Sequence, residues 1–494
     1  MKKNKNLYYL LNQWISNAPI CFFNSMKLDS RKIKQGNLFI AIKGDISDGR
    51  NFISEAINKG AVAILAEANG IAMNGEVNII SGIPIIYFSE LNQKLSTLGK
   101  VFYENPGKTQ KIIGVTGTNG KTTITQLLSQ WVTLLGEKSA VIGTMGYGII
   151  GNLKKTNNTT ESAIDTQKIL YLLDKERINL TAMEISSHAL VQYRVADILF
   201  SAGVFTNLSH DHLDYHNDMK KYALAKRSFF FEHKLNEMII NADDKIGSQW
   251  LFDLPSAIAV SIKKNYRFDI NRRWLKATNI IFRKSQINIY FDSSWGSGRI
   301  NSALIGNFNI SNLLIALATL LSLNYPLNSL LKVSSKLLPI NGRMELFVKV
   351  GKPKVILDYA HTPEALKKAL IAARQYCTGK IWCLFGCGGE RDKTKRPIMA
   401  AIAEKFADII IVTQDNPRNE NQYEIIKDIL HGFVNLHSVY VINNRSKAIN
   451  QSIRSAYYND LILIAGKGHE EYQIIGNNRF HYSDRAIIKS SLEL

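Results

Sequence analysis

Lys111-Ile112-Ile113-Gly114-Val115-Thr116-Gly117-Thr118-Asn119-Gly120-Lys121-Thr122-Thr123 is an apolar run that passes without a break into a glycine-rich loop. Beyond it Ile124, Leu127, Leu128, Trp131, Leu134 and Leu135 recur at helical spacing until Gly136, so the stretch predicts strand, loop, helix. Such a loop supplies what a polyphosphate needs: glycines that let backbone N–H groups face the anion, a lysine for the terminal phosphates and a hydroxyl for Mg²⁺. The general GxxxxGK[ST] pattern has a glycine where Val115 stands. The flanking strand and helix still favour a nucleotide-phosphate site over a glycine turn with an incidental lysine.

Upstream, short apolar runs at 38–42, 61–66 and 83–88 surround a helical pattern at 52–59, which predicts a small α/β unit closed by a linker near Leu91 to Pro106. Downstream, buried-type strands are expected at 180–185 and 198–205 and a helix at 310–323. From Gly342 five more apolar runs follow, at 354–357, 381–385, 408–412, 438–442 and 461–465, mostly separated by helical stretches. A doubly wound parallel sheet is the natural assembly. Four of these runs end in polar or glycine-rich sequence: Asp358-Tyr359-Ala360-His361, Gly386 to Arg391, Gln414 to Arg418 and Gly466 to Glu470. Ligands in such sheets bind outside the carboxyl ends of the strands, so these loops should converge. The expected fold is three α/β domains, at 1–94, 95–341 and 342–494, the central one with a mostly parallel sheet and the last Rossmann-like.

The 494-residue length fits several cores, with 46% hydrophobic and 21% charged residues. A formal net charge of +20 is compatible with nucleic acid, an anionic membrane surface or an anionic small substrate. Its basic residues are scattered and match no nucleic-acid motif, so neither nucleic acid nor membrane is expected as a partner. Cys21, Cys377, Cys383 and Cys387 form no CxxC pair and are too sparse for a disulfide scaffold. No signal peptide or membrane span is read, and a cytoplasmic location is expected.

Two further segments carry chemistry. Met183-Glu184-Ile185-Ser186-Ser187-His188 puts a carboxylate at the end of a buried strand, where holding a metal and capping the strand fit equally well. His210-Asp211-His212-Leu213-Asp214-Tyr215-His216 packs three histidines and two aspartates into seven residues, which suggests a metal site. Tyr215 separates Asp214 from His216, which spoils the HxHxDH register of a metallohydrolase. Mg²⁺-nucleotide chemistry ranks above it.

TGTNGKTT, EISSHAL, TNLSHDHLDYH, Ala225-Lys226, Gly306 to Asn312, Gly342-Arg343-Met344-Glu345, Asp358 to Pro363 and GKGHE occur here in the order seen in Mur ligases. The chain most resembles the MurE type, which adds the third residue of the peptidoglycan peptide. Leu28-Asp29-Ser30-Arg31, Gly36 to Phe39 and Asp48-Gly49-Arg50 resemble that type's UDP-binding domain. The resemblance implies an ATP-dependent amide ligase, acting as a monomer, that couples UDP-MurNAc-L-Ala-D-Glu to an amino acid through an acyl phosphate. By similarity, Gly117, Thr118, Asn119, Gly120, Lys121, Thr122 and Thr123 hold the ATP phosphates, and Asn309, Asn312 and Arg343 complete that site. Thr122, Glu184, His212 and Lys226, the last as a CO₂-derived carbamate, would hold Mg²⁺; Lys121, Lys226, His212 and Glu184 form the catalytic set. Without the resemblance, Lys226 reads as exposed helix surface.

The nucleotide-linked dipeptide is expected at Leu28, Ser30, Asp45, Ile46, Ser47, Asn158, Thr159, Thr160, Ser186, Gln192 and Arg194. The loop Asp415-Asn416-Pro417-Arg418 implies meso-diaminopimelate as the added amino acid. Arg418 can pair bidentately with the carboxylate that lysine lacks. Arg391, Gly466 and Glu470 match the remaining contacts, with Glu470 suited to an ammonium group. The bland alternative for Arg418 is a loop arginine paired with Glu420. His210 departs from the arginine usual in the family, and Gln414 from the usual acidic residue. Folylpolyglutamate synthetase is the nearest rival, but it lacks the N-terminal unit and the DNPR loop. A nucleic-acid-dependent P-loop NTPase is the rival from another class.

Overall fold

The computed structural model describes residues 5–44, 47–68, 70, 73–269, 271–283 and 286–494. Asp45 and Ile46, both expected at the UDP-sugar site, lie outside them.

Three sheets follow one another along the chain. In the first, Ser25–Lys27, Asn37–Ala41, Ala61–Glu67 and Ile83–Phe88 are parallel neighbours, and Val77–Ile80 adds an antiparallel edge. The expected linker at Leu91 to Pro106 is instead mostly a helix, Leu91–Phe102. Leu91, Leu95, Leu98 and Phe102 recur on one face and are buried, so helical periodicity outweighs the linker signal of Pro106 and Gly107. This helix packs on the helix Ala163–Lys175 of the central region: a side chain at Gly99 would put its Cβ 3.0 Å from Gln167 Cγ, and Lys100 Nζ reaches Asp197 Oδ1 at 2.6 Å.

In the ten-stranded central sheet, Lys111–Thr116 lies between Leu180–Glu184 and Phe200–Phe205, parallel to both. Parallel pairing continues through Leu235–Asn241, Ile258–Ser261 and Trp274–Phe282; Ile287–Ser293 and Gly298–Ser302 then close the sheet antiparallel. The helix Asn307–Ser322 is buried almost all round and packs with Trp131 and Leu128 of the helix Lys121–Leu134. The predicted strand, loop and helix at 111–135 are therefore the middle of this domain.

The third sheet runs Glu345–Phe347, Lys354–Asp358, Leu461–Ala465, Ile381–Phe385, Ile409–Val412, Val439–Val441, parallel except for the first pair. Alternate residues feed two cores, Ile356 and Leu463 on one face and Val355, Leu357 and Ile462 on the other, which is why these strands read as continuous apolar runs. Among the described residues no helix is long and apolar enough to cross a membrane.

Candidate functional site

The carboxyl end of Lys111–Thr116 delivers a loop built around two strained glycines. Gly117 (φ +143°) has Thr206 and Asn207 against the place a Cβ would take, and at Gly120 (φ +90°) a Cβ would meet Asn312 Oδ1 at 2.5 Å. Only glycine fits either position. Lys121 Nζ folds back to donate to the carbonyls of Gly117 and Thr118, both at 2.9 Å, and desolvation lowers its pKa against the opposing charges of Glu184 and Asp211. Thr118 Oγ1 lies 3.1 Å from Tyr222 Oη, and Asn119 N donates to Asn207 Oδ1 at 3.0 Å.

Thr122 Oγ1 donates to Glu184 Oε1 at 3.0 Å, and Arg343 Nη2 from the third domain donates to Thr122 Oγ1 at 3.1 Å. Thr144, which sequence reasoning did not single out, grips Glu184 from the other side, with its N at 2.9 Å from Oε1 and its Oγ1 at 3.2 Å from Oε2. Glu184 is thus a buried carboxylate held by three donors. Beside the loop a cavity of about 400 Å³ is lined by Asn119, Gly120, Thr123, Asn312, Arg343 and Tyr359, among others. Asn312 Nδ2 donates to Asn309 Oδ1 at 3.2 Å, and Asn309 Nδ2 to the Ile305 carbonyl at 2.8 Å.

Lys226 is not helix surface: it is 1% exposed, and its Nζ donates to the Gly117 carbonyl at 3.0 Å and lies over the Tyr222 ring. Burial drives its pKa well below that of ordinary lysine; Lys121 pushes the same way and Asp211 opposes. The local pattern misleads because the helix Met219–Phe231 has an inner face of Tyr222, Lys226, Phe229 and Phe230.

The histidine-rich segment divides. His216 is structural, bonded to Ser187 Oγ at 2.8 Å. His210 bonds Asp392 Oδ2 of the third domain at 2.7 Å. His212 faces Asp211 (Nε2 to Oδ2 3.4 Å), His188 and Tyr222, and burial lowers its pKa to about 3. Burial raises the Asp211 carboxyl, but His361, 3.7 Å away, and the charges of His212 and Lys395 outweigh it and lower its pKa. Asp211 and His361 are further site residues missed in sequence; both lay in motifs already noted, TNLSHDH and DYAHTP. Among the described residues no three His, Cys, Asp or Glu side chains converge as metal ligands. Thr122 and Glu184 are brought together, Lys226 meets the same loop at Gly117, and His212 contacts Asp211 instead.

Toward the first domain, Thr160 Oγ1 donates to the Glu184 carbonyl at 2.8 Å and accepts from Ser186 N at 3.0 Å, while Arg194 Nη1 donates to the Thr160 carbonyl at 2.7 Å. Gln192 Nε2 donates to Tyr215 Oη at 3.2 Å, and Thr159 Oγ1 lies 3.1 Å from Thr144 Oγ1. Thr159, Thr160, Ser186, Gln192 and Arg194 thus form one cluster, with exposed Asn158 beside it. Leu28 packs on the first domain's core, whereas Ser30 turns inward to Glu55 at 2.8 Å and exposed Ser47 bonds through its carbonyl to Gly44 N.

At the carboxyl end of the third sheet the four expected loops converge. Gly466 N donates to the Asp358 carbonyl at 3.1 Å, and Asn416 Nδ2 to Glu470 Oε2 at 2.9 Å. Arg418, held in the left-handed region at φ +53°, donates from Nη1 to the Gly389 carbonyl at 2.7 Å. A Cβ on Gly388 would lie 3.0 Å from Arg418 Nη1 and 3.8 Å from Arg391 Cγ, so both guanidinium-bearing side chains flank one glycine. The expected Arg418–Glu420 alternative fails: Glu420 is held by Arg396 (2.7 and 2.8 Å) and Lys393 (3.1 Å). Among the described residues Arg418 makes no direct ion pair with a carboxylate, although the charges of Asp415, Glu470 and Glu390 act on it. At Gly466 (φ +114°) a Cβ would lie 2.6 Å from Asp415 Oδ2, while Pro417 turns the loop through a bond from Glu420 N to its carbonyl.

Residues 23–103 match the family model described as Mur ligase family, catalytic domain; 115–320 match Mur ligase middle domain, and 342–468 match Mur ligase, glutamate ligase domain. The chain is 51% identical over 495 residues to UDP-N-acetylmuramoyl-L-alanyl-D-glutamate--2,6-diaminopimelate ligase of Buchnera aphidicola subsp. Schizaphis graminum (strain Sg), covering 100% of this chain and 99% of that one. A solved structure of an enzyme of that name superposes with a TM-score of 0.68 at 30% identity, covering 99% of both chains. Mycobacterium tuberculosis folylpolyglutamate synthase shares the fold alone, with a TM-score of 0.62 at 14% identity over 76% of this chain and 92% of that one.

Proposed function

From the premise that the chain belongs to the Mur ligase family, we propose that it joins meso-2,6-diaminopimelate to the D-glutamyl carboxylate of UDP-N-acetylmuramoyl-L-alanyl-D-glutamate at the expense of ATP, in peptidoglycan precursor synthesis. The observation that carries the choice of amino acid is Arg418. It stands beside Arg391 without a direct ion pair to a carboxylate while Glu470 lies on the facing loop, an arrangement complementary to an amino acid with an additional carboxylate and ammonium.

The D-glutamyl carboxylate attacks the γ-phosphorus of ATP, the bond to the bridging oxygen breaks and ADP leaves. The diaminopimelate amine then attacks the acyl phosphate carbon, loses a proton and expels phosphate. This chain's part is positioning and charge neutralisation. Lys121, now bonded to its own loop carbonyls, turns to the terminal phosphates, and the backbone N–H groups of Gly117 to Thr123 cradle them. Asn312 borders the cavity that takes the nucleoside, Asn309 accepts a hydrogen bond from it, and Arg343 ties the third domain to the loop through Thr122.

Mg²⁺ suits the hard oxygens of Thr122 and Glu184, already 3.0 Å apart at the loop. When bound it neutralises developing phosphate charge, with His212 completing the set we assign. Carbamylation of Lys226 fits the same place: burial lowers the pKa of its amine and so favours the neutral form that adds CO₂, and the product is another oxygen donor. Thr159, Thr160, Ser186, Gln192 and Arg194 receive the muramoyl dipeptide, with Leu28, Ser30 and Ser47 of the first domain toward the uridine end.

The test is phosphate release and product mass with purified protein. Ligation should require ATP, Mg²⁺, the UDP-linked dipeptide and meso-diaminopimelate together; release that ignores the amino acid, or that is stimulated by nucleic acid instead, contradicts the reading.

A further inference from the structure

Lys467 has a fully buried side chain between the two loops that carry the amino-acid contacts, at 0% exposure. Its ammonium donates to Asn416 Oδ1 at 2.8 Å and pairs with Glu470 Oε2 at 3.1 Å. Asn416 Nδ2 donates to the same Glu470 oxygen at 2.9 Å, and Ile474 N donates to Asn416 Oδ1 at 3.0 Å. Two donors meeting at Oδ1 fix which way the Asn416 amide faces, and Nδ2 is thereby aimed at Glu470. Glu470 has one oxygen doubly engaged. The other, Oε1, has Tyr359 Oη at 3.5 Å, the outer limit of a hydrogen bond, and the Tyr472 hydroxyl also interacts with this carboxyl group.

We propose that Lys467 is a positioning residue for the incoming amino acid. It engages Glu470 Oε2 and orients Asn416, so that Glu470 Oε1 is the oxygen presented to the substrate's ammonium group. This rests on the reading above that Glu470 receives such a group. Lys467 acts through Glu470 rather than on the reacting atoms. Removing it leaves Glu470 Oε2 with Asn416 as its remaining partner and Asn416 Oδ1 with Ile474 N alone, which loosens both and weakens recognition of the amino acid while leaving the nucleotide and dipeptide sites intact.

The experiment measures steady-state kinetics of the full-length chain with each of the three substrates varied in turn. Lys467→Met should raise the KM for meso-diaminopimelate about tenfold or more, with the KM for ATP and for the UDP-linked dipeptide within about twofold of wild type. In a Glu470→Gln background the same substitution should change the meso-diaminopimelate KM by less than about threefold, because its effect runs through that carboxylate. Equal losses in both backgrounds, or a parallel rise in all three KM values, would overturn the proposal. Lys467→Gln keeps a donor of similar length without the charge and should raise the same KM at least about fivefold. A wild-type value there sinks the proposal even if Lys467→Met does not fold. Should the wild-type enzyme itself not use meso-diaminopimelate, the functional reading fails and this inference with it; normal use by wild type and both lysine variants refutes the role of Lys467 alone.

Discussion

Lys226 shows most plainly what a single residue conceals in sequence. Its neighbours Leu224 and Arg227 face outward, and the local pattern gives no hint that the intervening turn faces inward against Gly114 and Gly117. Burial then lowers its pKa, so the amine gives up its proton more readily than an ordinary lysine. As pH falls through that depressed value the amine protonates and any carbamate is lost; activity should fall on the acid side and be retained above it. Lys226→Ala should reduce turnover at least about a hundredfold, with partial recovery on adding a short carboxylic acid, and ¹³CO₂ should give a carbamate resonance in wild type that the variant lacks. Undiminished turnover in Lys226→Ala contradicts the assignment. Arg418 is the opposite case, since its residue type and its DNPR loop already pointed to a carboxylate. What the sequence left open was Glu420, two residues on, and only the packing shows it engaged elsewhere.

The strands of the third sheet and the phosphate-binding loop were legible because each depends on a short local pattern, apolar runs closed by glycine or polar residues. Helix Leu91–Phe102 is equally periodic, yet it lies where a linker is expected. The antiparallel end of the central sheet, 287–302, rests on pairings that no local pattern announces. At the loops of the third sheet, the joint between Gly386 to Arg391 and Asp415 to Glu420 is Arg396, whose side chain is 0% exposed and bonded to Glu420, Asp428 and the Gly388 carbonyl. Arg396→Met leaves Glu420 without its principal partner and frees it toward Arg418. We expect a loss of about 3–5 kcal/mol in urea unfolding, the scale for removing one partner of a buried ion pair, together with a raised KM for meso-diaminopimelate. Unaltered stability would show that the joint is dispensable.

At the scale of the whole molecule, the second and third domains meet through polar contacts that converge on the phosphate loop: Arg343 to Thr122 at 3.1 Å, His361 to Asp211 at 3.7 Å and His210 to Asp392 at 2.7 Å. His210 stands where an arginine was expected from the family resemblance, and Asp392 still receives a partner. These contacts hold the third domain against the phosphate loop, as an acyl phosphate formed away from water requires. We propose that the enzyme selects its amino acid by the carboxylate that Arg418 receives. The most direct measurement is the ratio of kcat/KM for meso-diaminopimelate over L-lysine, in wild type and in Arg418→Ala. The account predicts a wild-type ratio of about a hundredfold or more, and a loss of about 2–5 kcal/mol in diaminopimelate use on removing the guanidinium; a wild-type ratio near unity, or one that Arg418→Ala leaves unchanged, would contradict it.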